Sequence, residues 1–202
     1  MKFSTTFSAL LCALSLGVSA APVDSGSDLS LRVNTPAPVT VETPNFKRIK
    51  EAHAGLVNGK RYVFTQTNPI NAQETDQKTK DLEKALGFSH IYLVVGDVTS
   101  SSKTADKGKN KGQVTTTWDF QGKEFDMTLK ASDKTKTEQR EPRKWESKYA
   151  TQKTIKYVKE TTKTLDAIKA HGAKYVAGHP IYSYDPKGNN CNAYVNDLIT
   201  FT

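Results

Sequence analysis

Cysteine is nearly absent from this chain. Of 202 residues only Cys12 and Cys191 are cysteines, and Cys12 falls in a leader-like start. No disulfide framework can therefore hold the mature chain, and the fold has to stand on its packed core. After the first twenty residues there is no apolar run of membrane-spanning length, so no transmembrane segment is expected in the mature chain. Arginine is scarce, and no basic motif is interleaved with aromatics, so specific nucleic-acid readout has no support. No internal repeat occurs. No metal and no other cofactor is expected.

What is present begins with Lys2, an apolar run over residues 7–18, and Val18-Ser19-Ala20 before Ala21. This is the pattern of a secretory signal peptide over 1–20, and it predicts a secreted, extracellular protein. Residues 21–43 are rich in Pro, Ser, Val and Thr without helical period, and read as a flexible lead-in or pro-segment. Residues 44–202 are enough for one globular domain and short for two. The formal net charge is +8, with the excess over 103–163, where lysines alternate with Thr, Ser, Asp and Glu. Such a surface is either simply solvated or a weak binder of polyanions.

Patterning predicts a strand over 61–66 and a short helix over 76–86 ending at Gly87. Residues 90–98, nearly all apolar, read as a central strand covered on both faces. A polar loop over 100–112 follows, then a hairpin of 113–120 and 124–130 turning at Gln121-Gly122. Ile155, Val158, Leu165 and Ile168 suggest one helix over 151–171, closed by Gly172. A last helix starts near Cys191, with Tyr194, Val195, Leu198 and Ile199 on its apolar stripe. Strands and helices alternate without a regular βαβ rhythm, so the expected class is α+β, an antiparallel sheet with packed helices.

Cys191 carries the chemical interest. It follows Asn189-Asn190 and opens a helix, the end that favours a negative charge, and a lone thiol in a secreted chain is either reactive or intermolecular. Its place on the apolar stripe fits a buried core cysteine equally well. A nucleophilic thiol needs a base. Of the four histidines, His171 reads as a helix-end charge, His53 as a surface residue, and His179 as a near neighbour of Cys191 in sequence only. His90 stands at the start of the most hydrophobic strand, where a ring can point into a cleft or simply be hydrogen-bonded.

The run His90-Ile91-Tyr92-Leu93-Val94-Val95-Gly96, followed a hundred residues later by Tyr184 and Asn189-Asn190-Cys191-Asn192-Ala193-Tyr194-Val195, resembles the circularly permuted papain-like group. That group is NlpC/P60-related and includes the lecithin:retinol acyltransferase-like and PPPDE-type proteins. The resemblance covers roughly residues 90–199 and implies a permuted papain-like core with Cys191 as nucleophile and His90 as base. The chemistry implied is attack on an amide or ester carbonyl through a thioester, with backbone N–H groups at the start of the Cys191 helix holding the oxyanion. The group places a third polar residue on the strand after the histidine. If 90–98 pairs with 113–120 in the simplest antiparallel register, Asp119 takes that place. The alternative is a non-enzymatic secreted effector or polyanion-binding protein on the same fold. The substrate and the oligomeric state are not legible in the chain.

Overall fold

The computed structural model describes residues 36–150 and 153–202. The expected signal peptide, Cys12 and the lead-in up to residue 35 lie outside the described residues. Residues 35–202 form one compact unit of mixed α and β structure, with a main sheet, a two-stranded sheet and four α-helices.

The main sheet contains β1 (Val39–Glu42), β2 (Arg61–Asn68), β3 (His90–Thr104), β4 (Val114–Phe125), β7 (Arg143–Lys144) and β8 (Thr154–Thr161), in the order β1-β4-β3-β2-β8 with β7 beside β4. Only the β1–β4 pair is parallel; the others are antiparallel. β5 (Met127–Lys130) and β6 (Asp133–Gln139) make the second sheet. β1 thus lies inside the segment read as a lead-in, and its backbone is paired rather than free. The helices are α1 (Pro44–Ala52), α2 (Gln77–Leu86), α3 (Leu165–Gly178) and α4 (Cys191–Phe201). No helix among the described residues is long and apolar enough to cross a membrane.

Each helix start has a side-chain cap, which takes up N–H groups left without partners. Thr43 accepts from Phe46, Asp76 from Thr79, Thr164 from Ala167, and Asn190 from both Asn192 and Ala193. α2 ends as expected at Gly87, in the left-handed conformation at φ 80°.

Two expectations are corrected. Residues 154–161 are a strand, not the first half of a helix. Thr154-Ile155-Lys156-Tyr157-Val158 is rich in β-branched and aromatic residues, which fit a pleated surface. A bulge between Val63 and Phe64 in the β2–β8 register skips Val158. Strand alternation puts Ile155 and Tyr157 on one face of the sheet and Val158 on the other, and a strand that buries apolar residues on both faces imitates helical spacing in the sequence. Gly172 lies within α3, where a Cβ would run into the Tyr194 hydroxyl and come within 2.8 Å of the Gln139 amide nitrogen.

The second correction concerns the hairpin. β3 runs on through the Ser- and Lys-rich stretch to Thr104, and the turn falls at 105–113 instead of at Gln121-Gly122. β4 is continuous, and its pairing with β3 extends from Leu93↔Phe125 to Thr104↔Val114. Polar residues Ser100 to Thr104 are exposed or half-exposed, but backbone pairing does not require apolar side chains.

Each face of the sheet buries its own core. Val63, Ile91, Leu93, Val95 and Phe125 pack against Ile168 of α3 and Cys191, Tyr194, Val195 and Leu198 of α4. Tyr62, Phe64, Val94, Val98 and Phe120 pack against Phe46 and Ile49 of α1 and against Trp145. The double coverage accounts for the near-continuous apolar run of β3.

At the centre, Gly96 faces Gly122 across the β3–β4 pair, with the Phe120 ring over both. A Cβ on Gly96 would stand 2.5 Å from Gly122 Cα and 2.6 Å from Gln121 O. Gly96→Ala is therefore expected to lower stability by about 1–3 kcal/mol through overpacking against backbone, measured as a drop in Tm and urea midpoint. Gly59→Ala, where only a left-handed φ of 80° is strained and nothing lies within 4 Å, serves as the contrast.

Candidate functional site

Cys191 is the first residue of α4, and the loop before it is tightly held. Residues 179–182 lie along β6: Thr137 N–H donates to Pro180 O, Tyr182 N–H to Thr135 O, and Thr137 Oγ1 to His179 O. The Asn189 amide donates to both His179 O and Ile181 O at 2.7 Å. Asn190 is fully buried; its Nδ2 donates to Asp185 O at 2.9 Å, while its Oδ1 accepts from Asn192 and Ala193. The Asn-Asn pair thus ties the loop down and caps the helix. The cap engages the second and third N–H groups of α4; the Cys191 N–H stands one position earlier, at the positive end of the helix dipole.

His90 opens β3, opposite Asn68 of β2. Its Nε2 lies 3.2 Å from Asp126 Oδ2, and its side chain is 21% exposed. Asp126 falls in the break between β4 and β5, with a side chain only 3% exposed. A buried carboxylate needs partners, and Asp126 has two cationic ones. Beyond His90, Arg140 Nη1 approaches the same oxygen at 3.4 Å, and Arg140 N–H donates to Asp126 O at 3.2 Å.

Cys191 is the other neighbour acting on the His90 ring. Burial pushes the His90 pKa down, but the Asp126 hydrogen bond, then the Cys191 side chain, outweigh it and raise the pKa from 6.5 to about 9. Among the described residues the well-formed hydrogen bond of His90 is the one to Asp126. With Nε2 held by Asp126, Nδ1 has no hydrogen-bond partner among the described residues.

Tyr182 flanks the thiol from the loop. Burial, and then the neighbouring Cys191 side chain, hold its hydroxyl proton more firmly than in water. Tyr184, the tyrosine of the sequence motif, packs edge-on against Tyr182 with ring centroids 5.2 Å apart. On the other side of His90, Tyr92 meets the ring edge-to-face at 4.5 Å. Burial raises the Tyr92 hydroxyl pKa, opposed by the amide of Asn68, which donates to it at 3.4 Å.

Cys191 acts on the His90 ring, but Asp119 is not with them. The β3–β4 register puts Asp119 opposite Thr99, nine residues along β3 from His90, or about 30 Å at the rise of a strand. There it accepts a 2.7 Å hydrogen bond from Thr43 beside the start of α1. The error comes from the displaced turn, which slides β4 along β3 and delivers Asp126 to the His90 end instead. One signal pointed to Asp126: it is the lone polar residue in Phe125-Asp126-Met127, where a charge cannot be buried without a partner.

The remaining histidines have structural posts. His53 caps α1 and stacks on Tyr157 at 3.8 Å. His171 lies inside α3 rather than at its end, and bonds Asp197 of α4 at 2.7 Å while stacking on Phe201. His179 caps α3 with its Nδ1 2.9 Å from Tyr175 O, and its backbone carbonyl, not its ring, joins the loop before Cys191. Among the described residues no group of His, Cys, Asp or Glu is arranged to hold a metal ion. Comparison with protein-family models, with curated proteins and with solved structures finds no match to this chain.

Removing the Asp126 charge, as in Asp126→Asn, should bring the His90 pKa down from about 9, followed by the ring proton shifts in an NMR titration, whereas Asp119→Asn should leave it unchanged. Stability follows the same sign. A pKa raised on folding contributes fully below the unfolded value near 6.5 and is lost as pH climbs through about 9. The wild type should lose urea stability over that window relative to Asp126→Asn.

Proposed function

We propose that this is a secreted thiol hydrolase or acyltransferase with a permuted papain-like core, in which Cys191 attacks, His90 carries the proton and Asp126 positions His90. The observation that carries the proposal is the convergence of three elements distant in sequence. The first residue of β3, the break after β4 and the first residue of α4 meet with a carboxylate, an imidazole and a thiol in sequence. The chain order, histidine strand first and cysteine helix last, is the permuted one. The signal-like start at 1–20 supports action outside the cell.

In the first half-reaction the Cys191 sulfur adds to the carbonyl carbon of an amide or ester, its proton having passed to His90. The Cys191 N–H, at the positive end of α4, is the nearest backbone donor for the oxyanion. As the tetrahedral intermediate collapses, the C–N or C–O bond breaks and His90 returns the proton to the leaving group, producing a thioester. In the second half, water or another acceptor gives its proton to His90 and adds to the thioester carbon. Breaking of the C–S bond then restores the thiol. Asp126 acts through His90: it holds the ring by Nε2 and stabilises the imidazolium, and it never meets the substrate.

A second reading rests on one specific observation. Cys191 is only 3% exposed and belongs to the apolar cluster under α4, as a structural thiol on a non-enzymatic effector scaffold would be. Alkylation separates the two. In the folded enzyme Cys191 should react with iodoacetamide at pH 6.5 faster than free cysteine does, and His90→Gln should slow it by about tenfold or more. Labelling that requires denaturant would establish the scaffold. Turnover of any substrate found should fall above about pH 9, where His90 loses the proton owed to the leaving group.

A further inference from the structure

At the His90 end of the sheet lies a cleft of about 520 Å³, lined by Asn68, Ile70, Ser89, Lys148, Tyr149 and Lys153 among others. Asn68 is the register partner of His90, and Ser89 is its chain neighbour. The cleft thus adjoins His90 through these two residues, while His90 and Cys191 themselves do not line it, and it has three properties that describe a ligand.

It is cationic. No carboxylate lines it among the described residues. The Lys148 ammonium is shared with Glu146 at 2.7 Å, but Lys153 has no such partner among the described residues. Its ammonium lies 5.0 Å over the Tyr92 ring, which in turn touches His90. A lysine kept in place by an aromatic face and left without a counter-charge is a ready partner for a carboxylate.

It also presents apolar contact. Ile70 is 50% exposed and Tyr149 65% exposed, two of the large hydrophobic residues that the described surface leaves to water. Finally, it holds an unused acceptor. Asn68 Oδ1 is out of contact with water and has no hydrogen-bond partner. Such an orphan costs about 1–3 kcal/mol. Among the described residues the one side-chain bond orienting this amide, Nδ2 to the Tyr92 hydroxyl, is long at 3.4 Å, which leaves the amide room to turn towards a ligand. An amide substrate brings an N–H to satisfy it; an ester brings none.

We infer that this cleft is the substrate site and that it takes an acidic peptide, with a side-chain carboxylate on Lys153, an N–H on Asn68 and apolar contact with Ile70 and Tyr149. The inference rests on the catalytic reading above and narrows its amide-or-ester substrate to an acidic peptide amide.

The test is binding to the Cys191→Ala protein, in which nothing is turned over. Acetyl-Ala-Glu-Ala-amide and acetyl-Ala-Gln-Ala-amide are titrated separately at 50 mM salt, following the backbone amide signals of Ser89 and His90. The Glu peptide should bind about three- to fivefold tighter, the range of a partly exposed ion pair. Lys153→Met, which keeps the stem on Tyr92, should erase the preference, and Lys153→Arg should restore it. Equal affinity for the two peptides, no binding of either, or a preference that survives Lys153→Met overturns the inference. So does binding to phosphatidylglycerol vesicles in preference to the Glu peptide, which would mark a lipid site. Failure here leaves Cys191 alkylation untouched, whereas failure of alkylation with peptide binding intact would leave a peptide-binding cleft that is not a substrate site, so the two failures are distinguishable.

Discussion

The antiparallel ladder between β3 and β4 governs the rest of this molecule. Its register decides which side chains share a face, because the period of a strand is two and a slip of one residue would turn every side chain over. With Gly96 set against Gly122 and the Phe120 ring closing over both, the two strands are locked at their middle by a contact that no larger residue fits. From that lock the pairing runs in one direction to the exposed turn at 105–113. In the other it runs to Leu93↔Phe125, beyond which Asp126 comes level with the start of β3.

Everything polar at that end follows from burial. Asp126 is removed from water and so must be neutralised by neighbours, and His90 and Arg140 supply the charge. On the opposite face a second buried carboxylate, Glu124, is held by Arg143 and by Gln66, and Gln66 accepts the indole N–H of Trp145. The paired cations Arg140 and Arg143 stand close in sequence because each answers a carboxylate two residues apart on one strand, β4 and the break that follows it. Buried Asn190 makes the analogous bargain at the helix, where one side chain satisfies two helix donors and a loop carbonyl.

Cys191 is placed by the same economy of packing. α4 lies over β3 with Tyr194, Val195 and Leu198 in the core, and a helix so seated puts its first residue at the sheet's His90 end. The thiol is at once a core atom and the neighbour of a protonated ring. Those two properties pull its chemistry in opposite directions, and its reactivity in the folded chain decides between them. The excess of positive charge is likewise less uniform than composition suggests: many lysines, such as Lys60, Lys136 and Lys169, sit against acidic neighbours, whereas Lys153 does not.

Much of this was legible in the residues. The α+β class, the central strand from His90, the Asp76-capped helix ending at Gly87 and the helix opening at Cys191 all follow from local periodicity and capping, which depend on neighbours a few residues away. The pairing of His90 with Cys191 came from a resemblance of two motifs, and Cys191 is among the groups that act on the His90 ring. Three things were beyond reach of local pattern. Apolar residues on both faces of β8, Ile155 and Tyr157 on one and Val158 on the other, made it look helical; the polar Ser100 to Thr104 stretch hid the length of β3; and the true turn position exchanged Asp119 for Asp126. Each is a question of register between segments far apart in the chain. Register is settled by the summed packing of both sheet faces and by the Gly96–Gly122 approach, quantities that exist only once the strands have met. Local pattern marked His90 and Cys191 as the candidate chemistry, because caps and strand starts depend on near neighbours; which carboxylate stands beside His90 was set only by the packing of strands far apart in the chain.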